Sequence, residues 1–186
     1  MTTRHTLFPA ALAAFALVGT ACSSNAQDRS ASAPALTDPQ VAHVAVTANA
    51  IDVELAELAQ GRATSPEVVR FARTMITDHT AVNEQAAALA QRLGVTPEGN
   101  EVSTALREGA DAVRAQLAAL QGPAFDRAYM EREVAYHQAV LDALDTVLIP
   151  SATNGELRSL LTEVRPAIVA HLEHARMLDA SLRGVP

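Results

Sequence analysis

From Pro66 to Leu93, apolar residues recur at Val68, Ala72, Met75, Val82, Ala86, Leu89 and Leu93. Alternating steps of three and four are the signature of a helix that buries one seam. Position 79 belongs to the same series, and it carries a histidine. An imidazole in an apolar seam needs a partner, because an unsatisfied buried polar group costs roughly 1–3 kcal/mol. A metal, a carboxylate and a backbone carbonyl could each fill that role.

The same pattern divides the rest of the chain into helices. Asp38-Pro39 opens the first, with Asp predicted as N-cap and Pro at the first helical position. Its seam is Val41, Val44, Ala48, Ile51, Leu55 and Leu58, with Asp52 and Glu54 on the flanks and Gly61 as its end. A short link, Arg62-Ala63-Thr64, leaves room only for an antiparallel hairpin before Ser65-Pro66 starts the second helix. Gly94 stops that helix and Val95 to Asn100 read as a loop. A third amphipathic helix is predicted from about Ser103 to Leu120. Gly122-Pro123 begins a fourth, with Met130, Val140, Leu144 and Val147 on its seam and Pro150 as its end. The fifth starts near Asn154 and carries Leu157, Leu161, Val164, Ile168, Ala175, Leu178 and Leu182. Pro166 falls inside it and is expected to kink or split it, freeing the carbonyl of Thr162. No stretch alternates as a strand would, so the fold class is all-α.

Composition narrows the setting. Of 186 residues, 49% are apolar, 19% charged and 3% aromatic, which points to a core of Ala, Leu and Val packed between helices. Net charge is −7, or −8 once Arg4 leaves with the leader, and no basic cluster is present. That argues against nucleic acid and against electrostatic attachment to anionic lipid. All 14 basic residues other than histidine are arginine.

Cys22 is the sole cysteine, so no intramolecular disulfide can form. Arg4 and His5 precede a run from Leu7 to Val18 that is too short to span a bilayer. Leu17-Val18-Gly19-Thr20-Ala21-Cys22 then resembles the bacterial lipoprotein processing site, with Gly19 where Leu is commonest. The expected organisation is a signal peptide over 1–21, a tether over 22–37 that starts at a lipid-bearing Cys22, and a bundle over 38–184. Ser23 fits sorting to the outer membrane, facing the periplasm. The rival is ordinary secretory cleavage after Ala26, which would leave a soluble periplasmic protein. Residues 23–37 are small and polar without a period, as a flexible tether would be.

Four polar residues occupy seam positions: His79, Glu133, His137 and His171. Glu133 and His137 are four apart and project from one face. If the second and fourth helices run parallel, the rise of about 1.5 Å per residue puts His79 roughly 24 Å and His137 roughly 21 Å below the first hairpin. Asp52, Glu54, Glu133 and His171 come out at roughly 14–17 Å by the same rise. The groups therefore gather at mid-bundle. Metal ligation is one explanation, with His79, Glu133, His137 and His171 as ligands, Asp52, Glu54, Asp78 and His174 as weaker candidates, and Fe, Mn, Zn or Cu as the ion. The helical di-metal pattern needs Glu-x-x-His on two helices. Here the spacing is Glu133-x-x-x-His137, and position 76 is Ile. The competing explanation is a hydrogen-bonded set that fixes helix register. His43 reads as a surface residue near a helix start, and Asp126 as a carboxylate favouring the N–H groups at the start of the fourth helix. No Ser-His-Asp set, glycine-rich phosphate loop or Cys-His zinc spacing is present, and no catalytic residue is assigned.

Asp52-Val53-Glu54-Leu55, Leu58-Ala59, Phe71 to His79, Asn83, Leu89-Ala90, Phe125-Asp126-Arg127-Ala128-Tyr129-Met130, His137, Pro166, His171-Leu172 and Ala175 together carry a resemblance. The chain from about Asp38 to Leu182 resembles the bacterial family called domain of unknown function 4142, placed among ferritin-like bundles. The resemblance implies an exported four-helix core with an additional helix in the crossover, and His79, His137 and His171 as family positions. Asp52 stands where the family usually has Glu, and its shorter side chain weakens its claim as a ligand. Two functions follow as expectations. One is a binding module whose cluster holds a transition metal. The other is a structural or envelope-stress bundle whose cluster only sets helix packing. A di-metal redox enzyme ranks below both.

Overall fold

The computed structural model describes residues 36–184. Expectations for the leader, for Cys22 and for most of the tether therefore lie outside the described residues. Four of the five long helices start where a side chain takes an orphan N–H group; the helix that begins at Gly122 has no side-chain cap. Helix α1 (Asp38–Arg62) is capped by Thr37, whose side chain accepts from Gln40 N in a reciprocal capping box. Thr37, not Asp38, is the cap; Asp38 is the first helical residue. Ser65 caps α2 (Pro66–Leu93), which ends at Gly94 in the left-handed region, φ 64°. Asn100 caps α3 (Glu101–Ala118), so that helix begins slightly earlier than its apolar pattern suggests. Helix α4 (Gly122–Ala143) runs into a π-helical turn, Leu144–Leu148, and then a single α-turn, α5 (Ile149–Ser151). Pro150 thus lies within α5. Asn154 caps α6 (Gly155–Leu182), which passes Pro166 as one helix and is not split there.

Two aspartates set the directions of the helices. Asp126, near the start of α4, accepts from Thr64 N, Thr64 Oγ1 and Ser65 N at the start of α2. Asp38 accepts in the same way from Thr153 N, Thr153 Oγ1 and Asn154 N at the start of α6. Helices α2 and α4 therefore begin together at one end, here the upper, and α1 and α6 begin together at the lower. Asp126 was expected to favour N–H groups of its own helix; it serves those of the neighbouring hairpin instead.

Helices α1, α2, α4 and α6 form the four-helix core, with α1 packed on α2 and α4 on α6. Helix α3 returns the chain from the lower end to the upper, lying against α1. It is the additional helix of the crossover. Arg107 of α3 pairs with Glu54, and Arg62 at the end of α1 donates to the carbonyls of Ala118 and Leu120. No strand occurs among the described residues, and no described helix is long and apolar enough to cross a membrane.

The core has two apolar zones. The upper is built on Phe71, Met75, Phe125, Tyr129 and Met130, all fully buried. The lower is built on Val41, Val44, Leu144, Leu161 and Ile168. Between them lies a polar layer: Asp52, His79, Glu133, His137 and His171 are each 7% exposed or less.

Candidate metal centre

The polar layer is assembled from all four core helices at mid-depth: Asp52 from α1, His79 from α2, Glu133 and His137 from α4, and His171 from α6. The three imidazole rings form a near-equilateral triangle. Their centroids are 5.7 Å apart for His79 and His137, 5.3 Å for His79 and His171, and 5.5 Å for His137 and His171. One nitrogen from each ring lies within 4.8 Å of the others, and so does one donor atom from each of Asp52, Glu133 and His137. His137 belongs to both sets.

Each imidazole is held through one nitrogen. Asn49 Nδ2 donates to the Ala45 carbonyl, which turns Asn49 Oδ1 toward His79. His79 Nδ1–H then donates to that oxygen at 2.6 Å. His137 Nδ1–H donates to the Glu133 backbone carbonyl at 3.0 Å. His171 Nε2–H donates to Asp78 Oδ2 at 2.9 Å. These partners assign the tautomers: a proton on the held nitrogen, a lone pair on the other. The lone-pair atoms, His79 Nε2, His137 Nε2 and His171 Nδ1, are buried without a hydrogen-bond partner among the described residues. Asp52 Oδ2 shares that condition. It lies 3.1 Å from His79 Nε2 and 3.9 Å from His137 Nε2, yet no hydrogen-bond geometry joins it to either ring. Electron-rich atoms facing one another in a dry interior are a donor set for a cation. Anchoring the far nitrogen of each imidazole to a carbonyl or carboxylate is how protein metal sites orient such ligands.

Electrostatics divide the layer into two sides. Arg132, its side chain 10% exposed, places Nη1 at 2.6 Å from Asp52 Oδ1 and also on Glu133 Oε1. Its guanidinium stacks over the Tyr136 ring at 3.9 Å, and the Tyr136 hydroxyl donates to the Ala48 carbonyl. One guanidinium serves two carboxylates, so the pair cannot both ionise at ordinary cost. Burial works to raise Asp52, but Arg132 and the neighbouring imidazoles outweigh it and hold its pKa down to about 2. Burial, with the Asp52 charge beside it, pushes Glu133 up to about 8. Burial also lowers His137 to about 4 and His79 below its ordinary value. In the metal-free layer the guanidinium thus holds Asp52 ionised, while burial favours the uncharged forms of Glu133, His79 and His137.

The structure brings together His79, Glu133, His137, His171 and Asp52. Glu133 stands on the Nδ1 side of His137, its Oε2 3.4 Å from that nitrogen, and Asp52 stands on the Nε2 side. Asp78 is in the layer as the partner of His171. Glu54 faces Arg107 instead, and His174 packs edge-on against Phe71 at 5.3 Å between centroids. Among the described residues, none of the three layer imidazoles donates to Glu133's side chain in hydrogen-bond geometry or to the Thr162 carbonyl; their acceptors are Asn49, the Glu133 carbonyl and Asp78. Arg132, Asn49 and Tyr136 are the participants that sequence reasoning missed. Asn49 had a usable signal, lying one turn before Asp52 on the same face of α1.

Fold and site together define an all-α four-helix bundle with a histidine–carboxylate layer buried at mid-depth. The profile of the family described as Domain of unknown function (DUF4142) matches residues 23–178, and the chain belongs to that family. Among solved structures, it is similar to CopM in the Cu(II)-bound form, with a TM-score of 0.60 and 17% identity. That alignment covers 78% of this chain and 98% of CopM. At that identity the likeness is one of fold. No curated protein matches.

Proposed function

We propose that this chain is a metal-binding protein whose buried layer holds one transition-metal ion. His79 Nε2, His137 Nε2 and His171 Nδ1 serve as nitrogen ligands and Asp52 Oδ2 as the oxygen ligand. The observation that carries the proposal is the set of buried lone-pair atoms without hydrogen-bond partners, each on a ring fixed through its other nitrogen. Three imidazoles with one carboxylate suit Cu, Zn or Fe, and Cu(II) binds most tightly of the divalent first-row ions to such donors. The Cu(II) carried by CopM, a protein of the same fold, supports copper as the first ion to try. Glu133 keeps to the adjoining set, where the Arg132 guanidinium already supplies a positive charge to both carboxylates. That arrangement favours one ion over a coupled pair.

The decisive experiment is element analysis of protein purified without a histidine tag, followed by titration. About one equivalent of copper per chain, retained through desalting, is expected for a site whose ligands are preformed. Absence of stoichiometric metal, together with no thermal shift on adding Fe, Mn, Zn or Cu, would defeat the reading. The structural alternative rests on the same layer as a register device, since Arg132 bridges the carboxyl groups of Asp52 and Glu133 across two helices. It predicts that His79→Leu keeps both fold and cellular phenotype.

Export and lipid anchoring belong to the same proposal. Cys22, in its small-residue context, is the residue we assign to the anchor, which places the bundle in the periplasm on the outer membrane. Incorporation of labelled fatty acid that disappears in Cys22→Ser supports this; equal labelling of both proteins refutes it.

A further inference from the structure

The lower half of the bundle is not filled as the upper half is. Val82, Ala86 and Val140 occupy seam positions, yet each is only half-buried, whereas Val68, Ala72, Met75 and Met130 on the same two helices, α2 and α4, above the polar layer are fully buried. The space they leave is a cleft of about 120 Å³ enclosed by all four core helices. It begins at Asn49, His79 and Tyr136 and ends at Asp38, Leu93 and Asn154 near the lower end. Between those limits its walls are apolar. It exists because alanines at 42, 45, 48, 86 and 90 face it where larger residues would close it. The π-helical turn at Leu144–Leu148 also lies on its wall, and such turns occur preferentially where a helix has been reshaped for a site.

Shape decides what could fit. A rounded apolar cavity of roughly 150 Å³ admits benzene. Here a comparable volume is drawn out along the helix segment from His79 to Leu93, roughly 21 Å at the α-helical rise. A long, narrow, apolar slot matches an unbranched alkyl chain and not a ring system. At its inner end Asn49 is engaged with Ala45 and His79, and Tyr136 with Ala48, while the free Nε2 atoms of His79 and His137 are those assigned to the metal. The inner end also faces the Asp52 carboxylate through His79. A polar head without negative charge therefore belongs at the opposite mouth, beside the Asp38 carboxylate and Asn154, and the tail belongs inside.

We propose that the lower half of the bundle is a binding site for the alkyl chain of a single-chain amphiphile, inserted tail-first from the lower end. The site is distinct from the metal centre, which it approaches at His79 and His137. The probe is dodecyl maltoside, added to the metal-loaded full-length protein below its critical micelle concentration and followed by displacement of a dansyl-labelled alkylamine. Saturable binding is expected, and Ala86→Leu, which fills the slot, is expected to weaken it at least tenfold while leaving metal stoichiometry unchanged. The double variant Ala45→Leu/Ala86→Leu is expected to abolish it. Thermal melting of each variant identifies any that fails to fold, and the conclusion then rests on the other. A second arm uses phosphatidylcholine vesicles: capture by vesicles without uptake of monomeric dodecyl maltoside means surface adsorption and overturns the proposal. So does the absence of displacement by dodecyl maltoside, or equal affinity in wild type and a folded Ala86→Leu.

Discussion

Asp78 offers the sharpest test of how the histidines are held. Its carboxylate accepts from His171 Nε2–H at 2.9 Å, and its side chain is 46% exposed, against 9% for His171. Removing it in Asp78→Ala leaves the core untouched but frees the His171 ring to rotate and to exchange tautomers. Losing an outer partner of a ligating imidazole costs about 10–100-fold in metal affinity, which is about 1.4–2.8 kcal/mol. The fold loses only one hydrogen bond at the edge of water, about 0.5–1.5 kcal/mol. Asp78→Asn retains an acceptor oxygen and so preserves the tautomer while losing the charge. Its affinity should fall between those of the wild type and the alanine variant. Competition for Cu(II) against a chromophoric chelator measures all three proteins. If Asp78→Ala folds normally and binds within about twofold of the wild type, less than the tenfold minimum for such a partner, then His171 is not oriented as described or is not a ligand.

Other predictions concern stability. Arg132→Met leaves Asp52 and Glu133 buried side by side without their cation, and should destabilise the protein by about 3–5 kcal/mol in denaturant titrations. A loss below about 1 kcal/mol, typical of exposed pairs, would mean that the guanidinium is not the partner that balances them. Metal at a hundredfold excess over its dissociation constant should add about 2.7 kcal/mol, raising Tm by roughly 5–11 °C in a domain of this size, reversibly with chelator. Asp126→Ala removes an acceptor for Thr64 and Ser65 and should cost about 1–3 kcal/mol, read as a lower denaturation midpoint. At the other end, burial works to raise the pKa of Asp38, but the donors on Thr153 and Asn154 outweigh it and hold it below its ordinary value. A depressed carboxylate stabilises above its unfolded pKa and is lost as pH falls through the folded one. Wild type should therefore lose more stability between about pH 4 and pH 2, astride the carboxylate range, than Asp38→Asn does. Equal losses would sever the link.

Much of this arrangement was legible in the chain, for identifiable reasons. Helix starts at Ser65-Pro66 and Gly122-Pro123 are strong local signals, and the helical rise is fixed, so the depths of His79 and His137 can be compared from the sequence alone. Seam periodicity then pointed both rings inward. The remaining participants do not follow from periodicity. Arg132 flanks the seam, and whether so long a side chain turns in or out depends on a carboxylate from another helix, here Asp52. Tyr136, four residues on, owes its place to that same guanidinium. The π-helical turn leaves no compositional mark, because Leu144 and Leu148 are equally at home in an α-helix. At Asp38 and Asp126 the residue type suggested a cap, and the structure uses each carboxylate across a gap of sequence that no local rule spans. Pro166 shows the reverse case: a strong breaker signal is overridden by packing on both sides of it, and α6 stays whole.

The account is tested most directly by a crystal structure of the copper-loaded protein with anomalous scattering at the metal edge. It predicts a single buried peak about 2.0–2.1 Å from His79 Nε2, His137 Nε2 and His171 Nδ1, as metal–imidazole bonds require. A peak at the surface, or one bound by fewer than two of these nitrogens, would contradict it.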